Sequence, residues 1–528
     1  MHDLPSRTAL LPLPAGARAG VRGRPGDGPA PELASMTLPA SHAPSPRRRE
    51  GVRAALRLAA LAASLLLAGC ITVGPDYHRP EEAAPALQGV DPARQTAQDF
   101  EAEWWRQFGD PTLDTLIRRA ARNAPDLKIA RARLAEARAV LGATRADLWP
   151  TVDADAGYTR SREQQPGFSD RRSTVTAYQA GFDASWEVDL FGGVRRGVEA
   201  ARADAEAGAA SLADAQVTLF AEVARHYFDL RGTQLRIGVA QRDIANQQAS
   251  LKLIRARAEI GSGSEQDVAS ANARLAATEA GLPTLQAREQ ADRFRLAVLL
   301  GQRPGELDVD LSPATFRPID ASLPIGNAAD VLARRPDVRV AERALAAATA
   351  RIGVAKADWF PHVSLGGFVG FLAGRSSDFG DAQSRAWSVA PSIRWSGLNV
   401  ARVRNGVKAS EARADAALAG YQRTVLAALE DVDNALVGYN KQRERVQKLA
   451  EQATQSRRAA DLARVRYEAG ATGYLELLDA ERTQLAAEDQ LAEAEAGVNL
   501  QAIALYKALG GGWQACGDEA CTRLAGTP

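Results

Sequence analysis

The chain has 528 residues, 65 basic against 64 acidic side chains, a formal net charge of +1, and only 3 cysteines and 2 methionines. The near balance of charge excludes recruitment of nucleic acid by electrostatics. The length is ample for a core, yet no segment after Cys70 is apolar and long enough to span a bilayer as a helix, so any spanning must be done by strands.

The first 69 residues differ from the rest. Up to about residue 35 they are rich in Pro, Gly and Arg without periodicity, a composition of disorder. Met1 and Met36 are the only methionines, and from Met36 onward the text reads as a bacterial export signal. Basic Arg47, Arg48, Arg49, Arg53 and Arg57 precede the apolar run 58–68, which is too short for a permanent anchor. Translation is therefore expected to start at Met36. Leu67-Ala68-Gly69-Cys70 resembles the bacterial lipobox, in which the cysteine is acylated and becomes the mature N-terminus. In lipoproteins similar to this one, Asp after the cysteine retains the chain at the inner membrane, so Ile71 favours the outer membrane. Residues 70–100 are expected as a lipidated N-terminal segment with no further cofactor.

Two repeats follow, expected over 101–318 and 319–513. Residues 125–150 and 336–361 align without a gap, and Pro125/Pro336, Asp126/Asp337, Gly142/Gly353, Asp147/Asp358 and Pro150/Pro361 are identical. A repeat of this length is half of a domain and not a solenoid unit. After the first block, residues 151–160 alternate, with Val152, Ala154, Ala156 and Tyr158 on one side. Residues 173–190 alternate again through Tyr178, Phe182 and Trp186. These patterns predict two strands joined by a polar loop. The second half answers over 361–373 and 386–396.

Each strand pair leads into a long helical pattern. Val223, Leu230, Ile237, Ile244, Leu251 and Ala258 fall seven apart, as do Val425, Val432, Tyr439, Val446, Ala453, Ala460 and Tyr467. Sustained heptads specify coiled-coil packing, and at ~1.5 Å per residue each helix is roughly 100 Å long. Glycine-rich turns at Gly261-Ser262-Gly263-Ser264 and Gly470-Ala471-Thr472-Gly473 end them, and helices return over about 265–300 and 474–509. In the tail 514–528, Cys516 and Cys521 favour a small terminal disulfide in an oxidising compartment. A metal site there is the weaker reading, because no histidine lies near.

No catalytic constellation is legible. His78, His226 and His362 have no ligand spacing, and no HExxH, GxSxG, Walker or GxGxxG pattern occurs. His226, beside Tyr227 and Phe228 in a heptad helix, reads as a packing or interfacial residue. Neither an enzyme nor a metal centre is expected.

Only helices and closed barrels span membranes, because an open sheet edge leaves backbone groups unpaired in lipid. Four strands cannot close a barrel, since small barrels need about eight. Three copies would supply twelve strands and, from four helices each, a twelve-helix cylinder: a mainly α chain carrying a transmembrane β-barrel.

Val73-Gly74-Pro75-Asp76-Tyr77, Trp104-Trp105 before Asp110-Pro111-Thr112-Leu113, Arg335-Pro336-Asp337-Val338, Arg351-Ile352-Gly353-Val354-Ala355-Lys356-Ala357 and Tyr474-Leu475-Glu476-Leu477-Leu478-Asp479-Ala480 together resemble the outer membrane factors. These are the TolC-like efflux ducts, in particular the NodT-type lipoprotein branch. The resemblance implies a homotrimer in the outer membrane, continuing as a periplasmic α-barrel docked to a periplasmic adaptor and an inner-membrane resistance-nodulation-division (RND) pump. It implies a periplasmic gate at Asp267, Tyr467, Glu476 and Asp479, with Tyr467 hydrogen-bonded to Asp267. It places adaptor docking at Arg257, Gly261, Arg466 and Gly470. Where some members carry a basic residue after the second tip glycine, this chain has Thr472. A periplasmic adaptor would have one helical hairpin, a structural coiled-coil lipoprotein would lack the strands, and a cell-wall hydrolase would need a nucleophile or metal set. The nearest rival is a duct for type I protein secretion, against which the lipobox favours small-molecule efflux.

Overall fold

Duplication governs the order of elements. A short strand β1 (Gln95–Thr96) and a 3-10 turn (Trp104–Phe108) lead to α1 (Pro111–Asn123), α2 (Pro125–Ala146), β2 (Thr151–Gln165), β3 (Ser169–Val188), α3 (Gly193–Glu259) and α4 (Glu265–Leu299). The second half repeats this as β4 (Leu323–Pro324), α5 (Ala328–Arg334), α6 (Pro336–Ala357), β5 (His362–Ala373), β6 (Arg385–Arg394), α7 (Val400–Glu468) and α8 (Tyr474–Ala508). This computed structural model describes residues 72–81, 86–92, 95–96, 98, 102–165, 169–319 and 322–516, all within one compact unit. The export leader, Cys70, Ile71 and Cys521 lie outside the described residues, as does the side chain of Cys516.

The proline-free heptad segments form single helices of 67 and 69 residues. Their heptad positions Val223, Leu230, Leu251, Val425, Val432, Tyr439, Ala453 and Tyr467 are buried. The four strands lie where the alternation predicts, but β2 runs on to Gln165 and β3 starts already at Ser169, past the expected bounds at 160 and 173. The extra pairs, such as Ser161 with Val175 and Arg162 with Thr174, are nearly devoid of apolar residues, so no hydrophobic period announces them.

Sheet and helices share one order. The strands run β2-β3-β5-β6, all antiparallel. Below them α2 packs on α3, α3 on α6, and α6 on α7; farther down, α4 packs on α3, α3 on α8, and α8 on α7. The short helices are stacked end to end in pairs. A Cβ on Gly301, just past α4, would lie 2.7 Å from the Asn123 carbonyl at the end of α1 and 3.4 Å from Pro125 at the start of α2, and one on Gly510, just past α8, 3.1 Å from Arg335 at the start of α6. Positive φ at both glycines, +74° and +70°, gives the tight exit that this stacking needs. Around the junctions lies the main core, where Trp104 stacks on Tyr506 at 5.2 Å and Trp105 meets Phe220 edge-on at 5.3 Å. Asp110 caps α1 through the Thr112 and Leu113 amides and accepts from the Tyr227 hydroxyl at 2.5 Å.

The segment 72–81 straps the two halves together just below the sheet. Arg196, 3% exposed, donates to the Val73 and Gly74 carbonyls and to Asp76 at 2.7 Å. Tyr77 donates to Glu342 at 2.5 Å. Gly74 crosses Gly353 so closely that a Cβ on Gly353 would lie 2.7 Å from the Arg196 Cγ and 2.9 Å from the Val73 carbonyl, whereas one on the repeat-related Gly142 meets nothing within 4 Å. Gly353→Ala should therefore lower thermal stability, at about 1–3 kcal/mol for an overpacked contact, and open 72–81 to protease. Gly142→Ala, in open space on a helix, should leave protease resistance unchanged and raise stability slightly, by about 0.5–1 kcal/mol. Equal melting temperatures for the two variants would remove the strap from the account.

Candidate functional site

Directly paired residues share a sheet face, and here the two faces differ sharply in chemistry. Ala154, Phe182, Val369 and Trp387 form one row across the strands, with Val152, Ala184, Gly367 and Val389 below it. Val152, Tyr158, Phe182, Val369, Trp387, Val389 and Ile393 are all exposed, so this face carries an uncovered apolar band, bounded by Arg160, Arg162 and Arg385. The opposite face carries Asp153, Asp155, Asp183, Glu187, Ser364, Ser388 and Ser392. A continuous apolar surface opposite a polar one has the pattern of a strand layer between lipid and a water-filled interior. Strands of 15 and 20 residues exceed the ~9–11 that a tilted spanning strand needs. Among the described residues β2 pairs only with β3, and β6 only with β5, leaving both outer edges open.

Aromatic residues gather where strands give way to helices. Trp149 is 72% exposed, Phe191 stacks on Phe360 at 4.5 Å, and Trp395 donates to the Trp359 carbonyl at 3.0 Å. Such girdles mark a membrane–water boundary. The strap starts at this level: Val73 donates its amide to the Phe191 carbonyl, and Thr72 lies against Gly192.

At the other end are the two helix tips. Ser264 and Asp267 form a reciprocal capping box at the start of α4, legible in the sequence as Ser-x-x-Asp. Asp267 is thereby directed to the Ser264 amide, and no hydrogen bond joins it to Tyr467. Tyr467 is buried with Leu251, Ile254, Tyr474 and Leu477, and it contacts Tyr474 at 6.0 Å. What ties the hairpins here is Arg257. Its guanidinium lies 4.5 Å over the Tyr467 ring and donates to the Glu468 carbonyl at 2.7 Å. Burial, followed by Glu481, Tyr467 and Asp267, pushes the Tyr474 hydroxyl up to about 12, so it stays protonated. Glu476 and Asp479 are exposed at the start of α8, the latter 3.3 Å from Arg482. Gly261 and Gly470 turn at φ +77° and +74°, with Arg466 exposed beside the second. The Thr472 hydroxyl is buried without a hydrogen-bond partner.

Residues 116–302 and 328–511 match the family described as outer membrane efflux protein. The chain belongs to that family. It is similar to the pyoverdine export outer membrane protein OpmQ of Pseudomonas putida, with 34% identity over 87% of this chain and 98% of the relative. It also resembles the probable outer membrane lipoprotein SilC of Salmonella typhimurium, 26% identical over 87% of this chain and 99% of that one. The solved outer-membrane channel OprN superposes with a TM-score of 0.81 at 47% identity, covering 84% of this chain and 100% of that chain. The protein is thus an outer-membrane channel of an efflux system.

Several motifs that carried the resemblance prove to be structural in this efflux protein. Arg335 caps α8, Gly353 admits the strap, and Trp104-Trp105 fill the core between the halves. The hairpins are also joined about two turns above the tips by a polar seam that the sequence did not announce. Glu481, 5% exposed, accepts from Ser250 at 3.1 Å and from Arg464 at 3.0 Å. Nearby Asp243 accepts from Gln247. Burial raises the Asp243 carboxyl from 3.8 to about 6, with Glu481 and Glu488 adding to the rise against Arg274 and Gln247. Between these two values the folded chain binds a proton that the unfolded chain has released. The contribution to stability is therefore full below 3.8 and lost as pH climbs through 6. Asp243→Asn should melt higher than wild type at pH 7.5, by about 1–2 kcal/mol after allowance for partial solvent exposure, and like wild type at pH 4. Parallel thermal melts with pH for the two proteins would refute this assignment.

Proposed function

We propose that three copies close a shared barrel in the outer membrane and a shared helical cylinder beneath it, forming a passive exit duct for small molecules delivered by an inner-membrane RND pump through a periplasmic adaptor. The observation that carries this reading is the common order of strands and helices with the same two sides left open. β2 and the α2/α4 stack form one margin; β6 and α7 form the other. Both margins present apolar side chains to a neighbour: Ile129, Val140, Phe294 and Val298 on the first, and Leu426, Val437, Leu462 and Val465 on the second, all exposed. Joining margin to margin satisfies the edge backbone in lipid and buries both stripes. No side chain is assigned a catalytic part.

Purified protein in detergent should be a trimer by native mass spectrometry and should conduct in planar bilayers. At the tips, Arg257 holds the hairpins of one chain together by a cation–π contact and a charge-assisted hydrogen bond, together worth about 1–2 kcal/mol at this exposed position. Arg257→Ala should therefore favour the open aperture roughly tenfold, seen as raised single-channel conductance. Asp267, Glu476 and Asp479 would form threefold carboxylate rings at that aperture. A stable monomer with intact sheet content would sink the trimer; unchanged conductance in Arg257→Ala would move the gate elsewhere.

Cys70 carries the lipid anchor in this reading. Support comes from the strap, whose first described residue, Thr72, lies at the level of the aromatic girdle. An acylated residue 70 would enter the inner leaflet without spanning any distance. Because several acyl chains anchor firmly where one is marginal, wild type should resist salt extraction and incorporate labelled palmitate, and Cys70→Ser should incorporate none. Retained label would place the modification on another residue.

A further inference from the structure

α3 shows two different faces at its middle. One is covered by α1, the 3-10 turn and the segment around Leu311, through Phe220, Tyr227 and Gln234. The other, at Arg225, His226 and Asp229, faces an open groove of about 380 Å³ between α3, α4 and α8.

We propose that His226, Asp229 and Asp292 bind a divalent transition-metal ion of the zinc type in this groove. One ligand atom from each of the three lies within 4.8 Å of the others. Around an ion held at ~2.1 Å, tetrahedral ligand atoms stand roughly 3.4 Å apart, so small rotations of three half-buried side chains close the set. The backbone supports it: His226 and Asp229 are three apart on one helix face, and Asp292 comes from the antiparallel neighbour, as in metal sites of helical bundles. One imidazole and two carboxylates suit zinc and its neighbours better than magnesium, which prefers oxygen alone.

The imidazole is held for the task. Its Nδ1 is 2.9 Å from Asp292, and its Nε2 is 3.7 Å from Glu222. Coordination through Nδ1 leaves the remaining proton on Nε2, on the side of Glu222, which at 3.7 Å must move closer to accept it and act as the outer carboxylate that fixes tautomer and ring orientation. Of the three arginines that line the groove, Arg225, Arg236 and Arg288, only Arg225 pairs with a member of the set. Arg236 is engaged by both oxygens of Asp489. Arg225 reaches Asp229 only at 3.6 Å, shares itself with Glu222 at 3.9 Å, and is 59% exposed, so it swings to solvent at little cost. The groove leaves room for a water or a passing ligand at the fourth position.

Zinc chloride titrated calorimetrically into the untagged full chain, in a Cys516→Ser/Cys521→Ser background, should show one bound ion per chain. His226→Ala should abolish that binding, and Glu222→Gln should keep the stoichiometry while weakening affinity roughly 10- to 100-fold, the usual loss for an outer carboxylate. Cobalt should give a visible ligand-field band in the parent protein that His226→Ala lacks. Circular dichroism of each variant separates loss of the site from loss of fold. Absence of binding by the parent, or equal binding by His226→Ala of native helix content, overturns the proposal. Neither result bears on the trimer or on conduction, so the duct reading stands or falls separately.

Discussion

The junction where α8 ends and α6 begins supports the rest of the molecule. A helix of 67 residues exposes a long apolar stripe, and no helix of 22 or 35 residues covers it alone. Coverage requires two short helices in line, which brings the carbonyl end of one against the start of the next. Such an end, if buried, needs donors. Arg335 supplies them: 7% exposed, it donates to the Ala508 carbonyl at 2.7 Å and is held by Asp337 at 2.7 Å and Asp431 at 3.0 Å. Burial would disfavour its charge, but the two carboxylates outweigh this and raise its pKa. Removing one partner of a buried ion pair leaves the other charge uncompensated, so this junction tolerates little change.

Stacking in turn fixes what happens above it. Because α2 and α6 end where β2 and β5 begin, and α3 and α7 begin where β3 and β6 end, the lateral order of helices is imposed on the sheet. The alternation of each strand then sends most apolar side chains to one face, with Phe368 and Leu372 of β5 among the exceptions. Shifting one strand by a single residue would turn its apolar set toward the polar interior, and the helix packing below opposes that slip. One physical layer thus runs through two solvents.

The duplication, the strands and the long helices were legible because each rests on a local period: two for the strands, seven for the heptads. The caps that the structure shows at Ser264 with Asp267 and at Asp110 have local sequence signatures, which the gate and motif assignments of those residues passed over. The site was less so. Pairing Tyr467 with Asp267 failed to foresee that Asp267 serves its own helix start, while Arg257, assigned to docking, reaches across 211 positions to Glu468. Asp292 meets His226 from 66 residues away, a spacing set by hairpin length and not by any motif. The polar extensions of β2 and β3 carry no hydrophobic signal. Contacts between distant segments depend on which residues a fold brings level, and a linear pattern records that only when it repeats.

Repetition also has limits that matter for function. The two tips have the same glycine turns, yet Ser264 caps α4 with its side chain whereas Gly473 before α8 has none to offer. Arg257 lies over Tyr467, whereas its counterpart Arg466 is exposed. In the proposed trimer the six tips would therefore alternate between a capped, tied kind and a looser, exposed kind. A loose helix start frays more readily than a capped one. Movement at the aperture would accordingly fall on the second hairpin, which carries Glu476 and Asp479, with the first acting as its fixed neighbour until the Arg257 contact gives way.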